Sequence, residues 1–343
     1  MPGRKRAAGD ACSVLAFAGS LPGVSAAPRA VSLPGRLPAD EVFPARAPGH
    51  RVRWLDLPGG ERVRAVLCEP ADVGASEPAP DAPAVMGVHG WGCSAYSFHR
   101  VLRPIAELGV RAAAPDLRGH GWSSKPLDGR AYTPAALAGW LAHVLDALGI
   151  RRVVLLGHSL GGHLALEAAL ADPARVAGLV LVAPLGFSAV GRLRALRLAT
   201  PAALAPVLPY LATRTAVRVG LVSSYGPHQR PTERDVDEFW APTADPDMAR
   251  AARLVAHASD WAPGPAERLR RVTCPVRVIL GDHDNLIGVD AVRPMATALP
   301  RGTLEVLRGV GHVPIDEAPE RVVAAVAATV AEAAADARAT PAA

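Results

Sequence analysis

From about residue 50 onward, short apolar runs alternate with helical stretches, and this alternation leaves few folds open. "HRVRWLDL" and "ERVRAVLCEP" flank Pro58, Gly59 and Gly60 and read as a hairpin. Strand-like runs follow at 84–90 ("AVMGVHG"), 111–117 ("RAAAPDL"), 153–157, 176–184 ("VAGLVLVAP"), 276–282 ("VRVILGD") and 303–309 ("TLEVLRG"). Between them stand helical stretches such as "FHRVLRPIAELG" and "PAALAGWLAHVLDALG", and an Ala-rich helix begins at Pro319. Strands and helices in turn predict an α/β fold, a mostly parallel sheet with helices on both faces. Half of the residues are apolar, so a sizeable core can be buried. The alternation lapses between Phe187 and Pro265, where prolines stand at 201, 206, 209, 227, 231, 242 and 246. A helical cap over 187–264 is therefore expected, inserted between two parts of one core (49–186 and 265–335), with a flexible tail at 336–343.

The net charge of +5 suggests a polyanion partner until it is located. Residues 1–53 hold eight basic and three acidic side chains, which account for the whole surplus. The remainder is neutral, so nucleic-acid binding is not expected. Residues 1–48, rich in Ala, Pro, Gly and Ser, are expected to form a disordered leader on a cytoplasmic protein. The competing expectation is a short secretory signal, with Arg4, Lys5 and Arg6 ahead of an apolar stretch at 11–19 and "VSAA" at 24–27. No apolar run approaches the roughly 18 residues of a membrane span. Cys12, Cys68, Cys93 and Cys274 form no C-x-x-C pair, so neither a zinc site nor a disulfide framework is expected.

The chemistry centres on "VVLLGHSLGGHLALEAAL", where an apolar strand gives way to a helix across Ser159. Gly157-His158-Ser159-Leu160-Gly161 fits G-x-S-x-G on a strand-to-helix turn. The glycines allow backbones to approach closely around a strained serine. A serine hydroxyl needs a base to remove its proton and an acid to orient that base. Asp282 and Asp284 end a strand in "VILGDHDNLIG", and His312 follows 28 residues after Asp284, in "LRGVGHVPIDEAPE". Either aspartate could serve as the acid. His143 and His163 read as helix-surface or packing residues. Arg192, Arg194 and Arg197 could grip an anionic substrate, with a solvated helix face as the alternative.

Residues 50–335 resemble the α/β-hydrolase superfamily, in its cap-bearing, esterase-like branch. The resemblance rests on "HGWG" (89–92), "DLRGHGWS" (116–123), "GHSLGG" (157–162), "GDHD" (281–284) and "GVGH" (309–312), in that order. It implies an eight-stranded sheet and a triad of Ser159, Asp284 and His312, since the family pattern G-x-x-D favours Asp284 over Asp282. The backbone N–H groups of Trp91 and Leu160 would form the oxyanion hole. His89, Gly90, Gly157, His158 and Gly161 would shape the site, with His120 beside them, and no metal or cofactor would be needed. The expected substrate is a small ester or related acyl compound. Serine at the elbow argues against epoxide hydrolases and haloalkane dehalogenases, whose nucleophile is a carboxylate. C–C bond hydrolases, acyltransferases and haloperoxidase-like perhydrolases share the triad, and a hydrolase-like ligand receptor is the non-enzymatic alternative.

Overall fold

The structure is a computed structural model, and it describes residues 36–76, 82–186, 190–259, 261–262, 264 and 266–339. Eight strands form one sheet: β1 (Arg51–Asp56), β2 (Arg62–Cys68), β3 (Ala84–Val88), β4 (Ala112–Pro115), β5 (Val153–His158), β6 (Val176–Val182), β7 (Val276–Gly281) and β8 (Gly302–Leu307). Their spatial order is β1-β2-β4-β3-β5-β6-β7-β8. The hairpin pair β1–β2 and the pair β2–β4 are antiparallel, and every later pairing is parallel. The first helices are α1 (Leu102–Glu107), α2 (Pro134–Leu148) and α3 (Leu160–Ala171). Between β6 and β7 come α4 (Val190–Ala199), α5 (Leu208–Leu211), α6 (Arg214–Ser224), α7 (Glu233–Trp240) and α8 (Pro246–Ala258). The chain closes through α9 (Ala266–Leu269), α10 (Val289–Ala298), α11 (Pro314–Glu317) and α12 (Pro319–Ala339).

Central strands β3, β5 and β6 are buried along their whole length. Successive strand side chains point to opposite faces, so each strand feeds two cores. Val153, Leu155, Leu179 and Leu181 pack with Trp140 and Leu141 of α2 and Leu164 of α3. Val154, Leu156, Val180 and Val182 pack on the other face with Ile105 of α1 and Val322 and Val326 of α12. Each such side chain contributes about 2 kcal/mol of burial, and a one-residue slip would exchange the faces. Local signals start and stop the helices. In α2, Thr133 caps the first turn by accepting from the Ala136 N–H, Pro134 sits where no donor is required, and Gly149 ends it in the left-handed region.

Two expectations about the chain ends need correcting. Residues 36–48 are not an unpacked leader, because Val42 and Phe43 are buried. The Phe43 N–H donates to the Glu238 carboxylate at 2.8 Å, and Arg64 donates to the Phe43 carbonyl. Residues 1–35, with the signal-like segment and Cys12, lie outside the described residues. The expected tail from 336 is helical through Ala339, since α12 carries Asp336 to Arg301 (2.6 Å); residues 340–343 also lie outside the described residues. Among the described residues, no helix is long and apolar enough to cross a membrane.

Candidate active site

β5 runs straight into Ser159, whose backbone is held at φ 52° and ψ −117° before α3 begins. A positive φ on a non-glycine residue is strained and persists only where the surroundings enforce it. Here the Ser159 N–H donates to the Val182 carbonyl (3.0 Å), and its own carbonyl accepts from Leu185 (2.9 Å). The neighbouring glycines are required by contact. A Cβ on Gly161 would lie 1.8 Å from the Val88 carbonyl oxygen, and one on Gly157 would lie 2.5 Å from that of Gly161. The turn therefore pushes the Ser159 side chain out at the carboxyl ends of the strands, where open α/β sheets place their ligands.

Two loops meet it there. His312 follows β8, and its Nε2 lies 3.1 Å from the Ser159 Oγ. Its Nδ1 lies 2.8 Å from Oδ2 of Asp284, which follows β7. A carboxylate only accepts, so Nδ1 carries the proton and the Nε2 lone pair faces the hydroxyl. Asp284 is in turn fixed by the Leu286 and Ile287 N–H groups, both 2.8 Å from Oδ1, and its side chain is fully buried. Asp282 points elsewhere. It accepts from His283 (2.7 Å) and the Gly309 N–H (2.7 Å), and the His283 bond holds its carboxyl below the usual range. The structure thus brings together Ser159, His312 and Asp284, and leaves Asp282 as a surface brace.

The histidines expected to shape the site are neutral struts. His158 donates from Nε2 to the His312 carbonyl (2.8 Å), and burial pulls its pKa down to about 4. His89 donates to the Gly90 carbonyl (2.8 Å) and accepts the Leu117 N–H (2.9 Å), with burial again lowering it to about 4. His120 stands 5.5 Å from the His89 ring and is lowered to about 3, chiefly by burial. His163 is buried with its ring 5.5 Å from Trp261, whereas His143 is exposed. A Cβ on Gly90 would come within 3.2 Å of the Ser159 Cβ, so the 89–92 loop runs directly beside the hydroxyl. Neither the Trp91 N–H nor the Leu160 N–H has an acceptor among the described residues. The Leu160 amide opens α3, where a donor without an intrahelical partner and the positive end of the dipole coincide.

Trp91 is 44% exposed, and its indole donates to the Ala252 carbonyl of α8 at 2.7 Å. Two cavities share Trp91, Ser159, Leu286 and His312 on their walls. One, about 190 Å³, is lined by apolar residues including Leu185, Leu196, Val255 and Trp261. The other, about 430 Å³, reaches Ser97, Leu221, Phe239 and Thr243. Arg197 does not line them; its guanidinium donates to the carbonyls of Ala256 in α8 (2.8 Å) and of Ser259 just after it. The side chains of Arg192 and Arg194 lie outside the described residues. A separate cavity of about 450 Å³ at the β1 edge, lined by Arg51, Arg53 and Arg111, contains none of these groups. The thiols of Cys68, Cys93 and Cys274 are free, and burial pushes each up to about 11.

Two carboxylates at the site escaped sequence reasoning. Asp116, fully buried, accepts from the Ala95 N–H (2.7 Å) and the Trp122 N–H (2.9 Å), tying two loops beside the site together. Glu317, in α11, accepts from the N–H groups of Gly226 and Gly311. A charged residue placed directly after an apolar strand was a usable signal for Asp116; Glu317 had none.

Residues 83–319 match the family model described as alpha/beta hydrolase fold. An uncharacterized protein, Rv2715, of Mycobacterium tuberculosis is 32% identical over 257 residues, covering 70% of this chain and 73% of its own. An epoxide hydrolase of Caballeronia sordidicola is 46% identical over 93 residues, 27% of this chain and 28% of that one. Among solved structures, the meta-cleavage product hydrolase of Pseudomonas fluorescens IP01 superposes with a TM-score of 0.66 at 20% identity, covering 82% of this chain and 98% of that one. A bacterial membrane phospholipase A gives 0.65 at 21% identity, over 83% and 87%. At those identities the likeness speaks for the fold. The chain belongs to the alpha/beta hydrolase fold family.

Proposed function

We propose that this protein is a serine hydrolase that cleaves an ester or related acyl bond through an acyl-enzyme. His312 removes the Ser159 proton as Oγ attacks the carbonyl carbon, and Asp284 stabilises the imidazolium that results. The N–H groups of Trp91 and Leu160 hold the oxyanion, an interaction that strengthens only as charge develops. Protonated His312 then gives its proton to the leaving alcohol oxygen. A water deprotonated by His312 attacks the acyl-enzyme, releases the acid and regenerates Ser159. The inserted helices α4–α8 act as a cap, contributing Leu196, Leu221, Phe239 and Val255 to the two cavities. Those walls suit a substrate that is apolar on both sides of the scissile bond.

One observation carries the reading: the continuous hydrogen-bonded chain Asp284–His312–Ser159, at 2.8 and 3.1 Å, in the tautomer that leaves Nε2 free to accept. The carboxylate at this site orients the base, and the elbow holds a hydroxyl, so the attack required is that of an alkoxide on an acyl carbon. Ser159→Ala should abolish turnover of short-chain p-nitrophenyl esters and labelling by a fluorophosphonate, with the fold intact. Retention of ester turnover by that variant rules the proposal out.

A further inference from the structure

His312 is held from behind by the insert. Its N–H donates to the Ser224 carbonyl at the end of α6 (2.7 Å), and one residue earlier Gly311 lies directly against Gly226. The approach is so close that a Cβ on Gly311 would fall 2.5 Å from the Gly226 nitrogen, and one on Gly226 would fall 2.4 Å from the Gly309 carbonyl oxygen. Glu317 spans this contact. Oε2 accepts the Gly226 N–H and Oε1 the Gly311 N–H, each at 2.8 Å. Its carbonyl accepts from the Gln229 side chain (2.7 Å), and the preceding Asp316 accepts from the Tyr225 hydroxyl. The carboxylate is buried, and no cation offsets its charge among the described residues. A buried carboxylate without an ion-pair partner is costly. What this one obtains is two donors on two different chain segments, one in the insert and one in the loop that carries His312.

We infer that Glu317 is a positioning residue: it locks the His312 loop to the 224–229 segment of the insert and so sets where the imidazole stands relative to Ser159. The inference rests on the role proposed above for His312. It makes the second half of the insert part of the frame of the base, while the first half, α4 and α5, makes no bond of this kind to the His312 loop among the described residues. Glutamine cannot replace the glutamate, because each carboxylate oxygen faces an N–H donor and an amide NH2 would meet one of them donor to donor. Aspartate keeps the charge but is too short to reach both N–H groups.

The test compares Glu317→Gln and Glu317→Asp with the full-length wild type, at temperatures well below each melting transition and per active site titrated with fluorophosphonate. Displacing the base slows the chemical step and leaves in place the apolar wall formed by Leu185, Leu196, Val255 and Trp261. Glu317→Gln should therefore lower kcat about 100-fold and Glu317→Asp about 10-fold, with KM within about threefold of wild type. A second readout does not depend on turnover: the low-field proton resonance of the His312 Nδ1–H, assigned by its disappearance in Asp284→Asn. This resonance should shift or broaden in both Glu317 variants. An unchanged resonance overturns the inference whatever the rate does, and wild-type kcat in either variant overturns it as well. If Glu317→Gln does not fold, Glu317→Asp decides. Activity persisting in Ser159→Ala would remove the proposed reaction, yet the resonance would still report whether Glu317 places His312.

Discussion

Asp284→Asn should silence the enzyme while leaving its shape intact, and the structure says why. The two Asp284 oxygens have different partners: Oδ1 faces the N–H groups of Leu286 and Ile287, and Oδ2 faces Nδ1 of His312. In the asparagine variant the amide must choose an orientation. Turning its NH2 toward the two backbone donors would leave both without an acceptor, at about 1–3 kcal/mol each. The oxygen therefore stays on the backbone and the NH2 faces the imidazole. A donor opposite Nδ1 forces the other tautomer, in which Nε2–H points at the Ser159 hydroxyl and can accept nothing from it. A wrong tautomer of this kind lowers kcat about 10⁴-fold, or about 5 kcal/mol in the barrier. The assay is steady-state hydrolysis of a p-nitrophenyl ester, with melting curves to show that the fold is kept. Asp282→Asn serves as the control, because its side chain braces His283 and Gly309 at the surface; its kcat should stay within about threefold. An Asp284→Asn enzyme within tenfold of wild type, or an Asp282→Asn enzyme as poor as Asp284→Asn, refutes the assignment.

Gly161→Ala should not yield folded protein: the new methyl would be 1.8 Å from a backbone oxygen of β3, and overpacking against a rigid strand costs about 3 kcal/mol or more. Soluble expression with a melting temperature within a few degrees of wild type would contradict this. Acid should destabilise the fold early. His89, His158 and His120 protonate near pH 6.5 when unfolded but only at about 4, 4 and 3 in the folded chain, so the unfolded state binds more protons throughout that interval. Their contribution is intact above pH 6.5 and is lost progressively down to about pH 4 for His89 and His158 and about pH 3 for His120, with an upper bound on the order of 3–5 kcal/mol for each. A melting temperature that stays flat from pH 7 to pH 4.5 would show that these rings are not buried as described.

How much of this was legible beforehand depended on whether the signal was local. The eight strands could be read because buried strands write themselves as short runs such as "VVLLG" and "GLVLV". The elbow could be read because its serine and glycines stand together in five consecutive residues between a strand and a helix, although the contact that demands Gly161 comes from Val88 on β3. Asp284 and Asp282 could not be separated by residue type alone, since only the register of the loop after β7 decides which of them turns inward. Glu317 was invisible for the opposite reason: its partners, Gly226 and Gly311, are brought together by the tertiary fold and leave no mark on the residues around it. Phe43 lies among prolines and alanines, a context that reads as unpacked, and its burial depends on Tyr96 and Glu238 far along the chain. The opening helices of the insert, interrupted by prolines, gave an outline without a surface.

The engagement of Phe43 has a practical corollary for anyone trimming this protein. A version begun at residue 49, where the regular pattern starts, would remove the carbonyl that Arg64 binds and the amide that Glu238 accepts. It would also strip a ring from the stack of Tyr96 and His99. Two charged groups far apart in the chain would each lose a backbone partner at once, Arg64 on β2 and Glu238 on α7, and among the described residues be left with their ion pairs to Asp116 and Arg234 alone. Shortened forms should therefore keep at least residue 36 onward, or low yields will be blamed on the catalytic half when the fault lies at the margin.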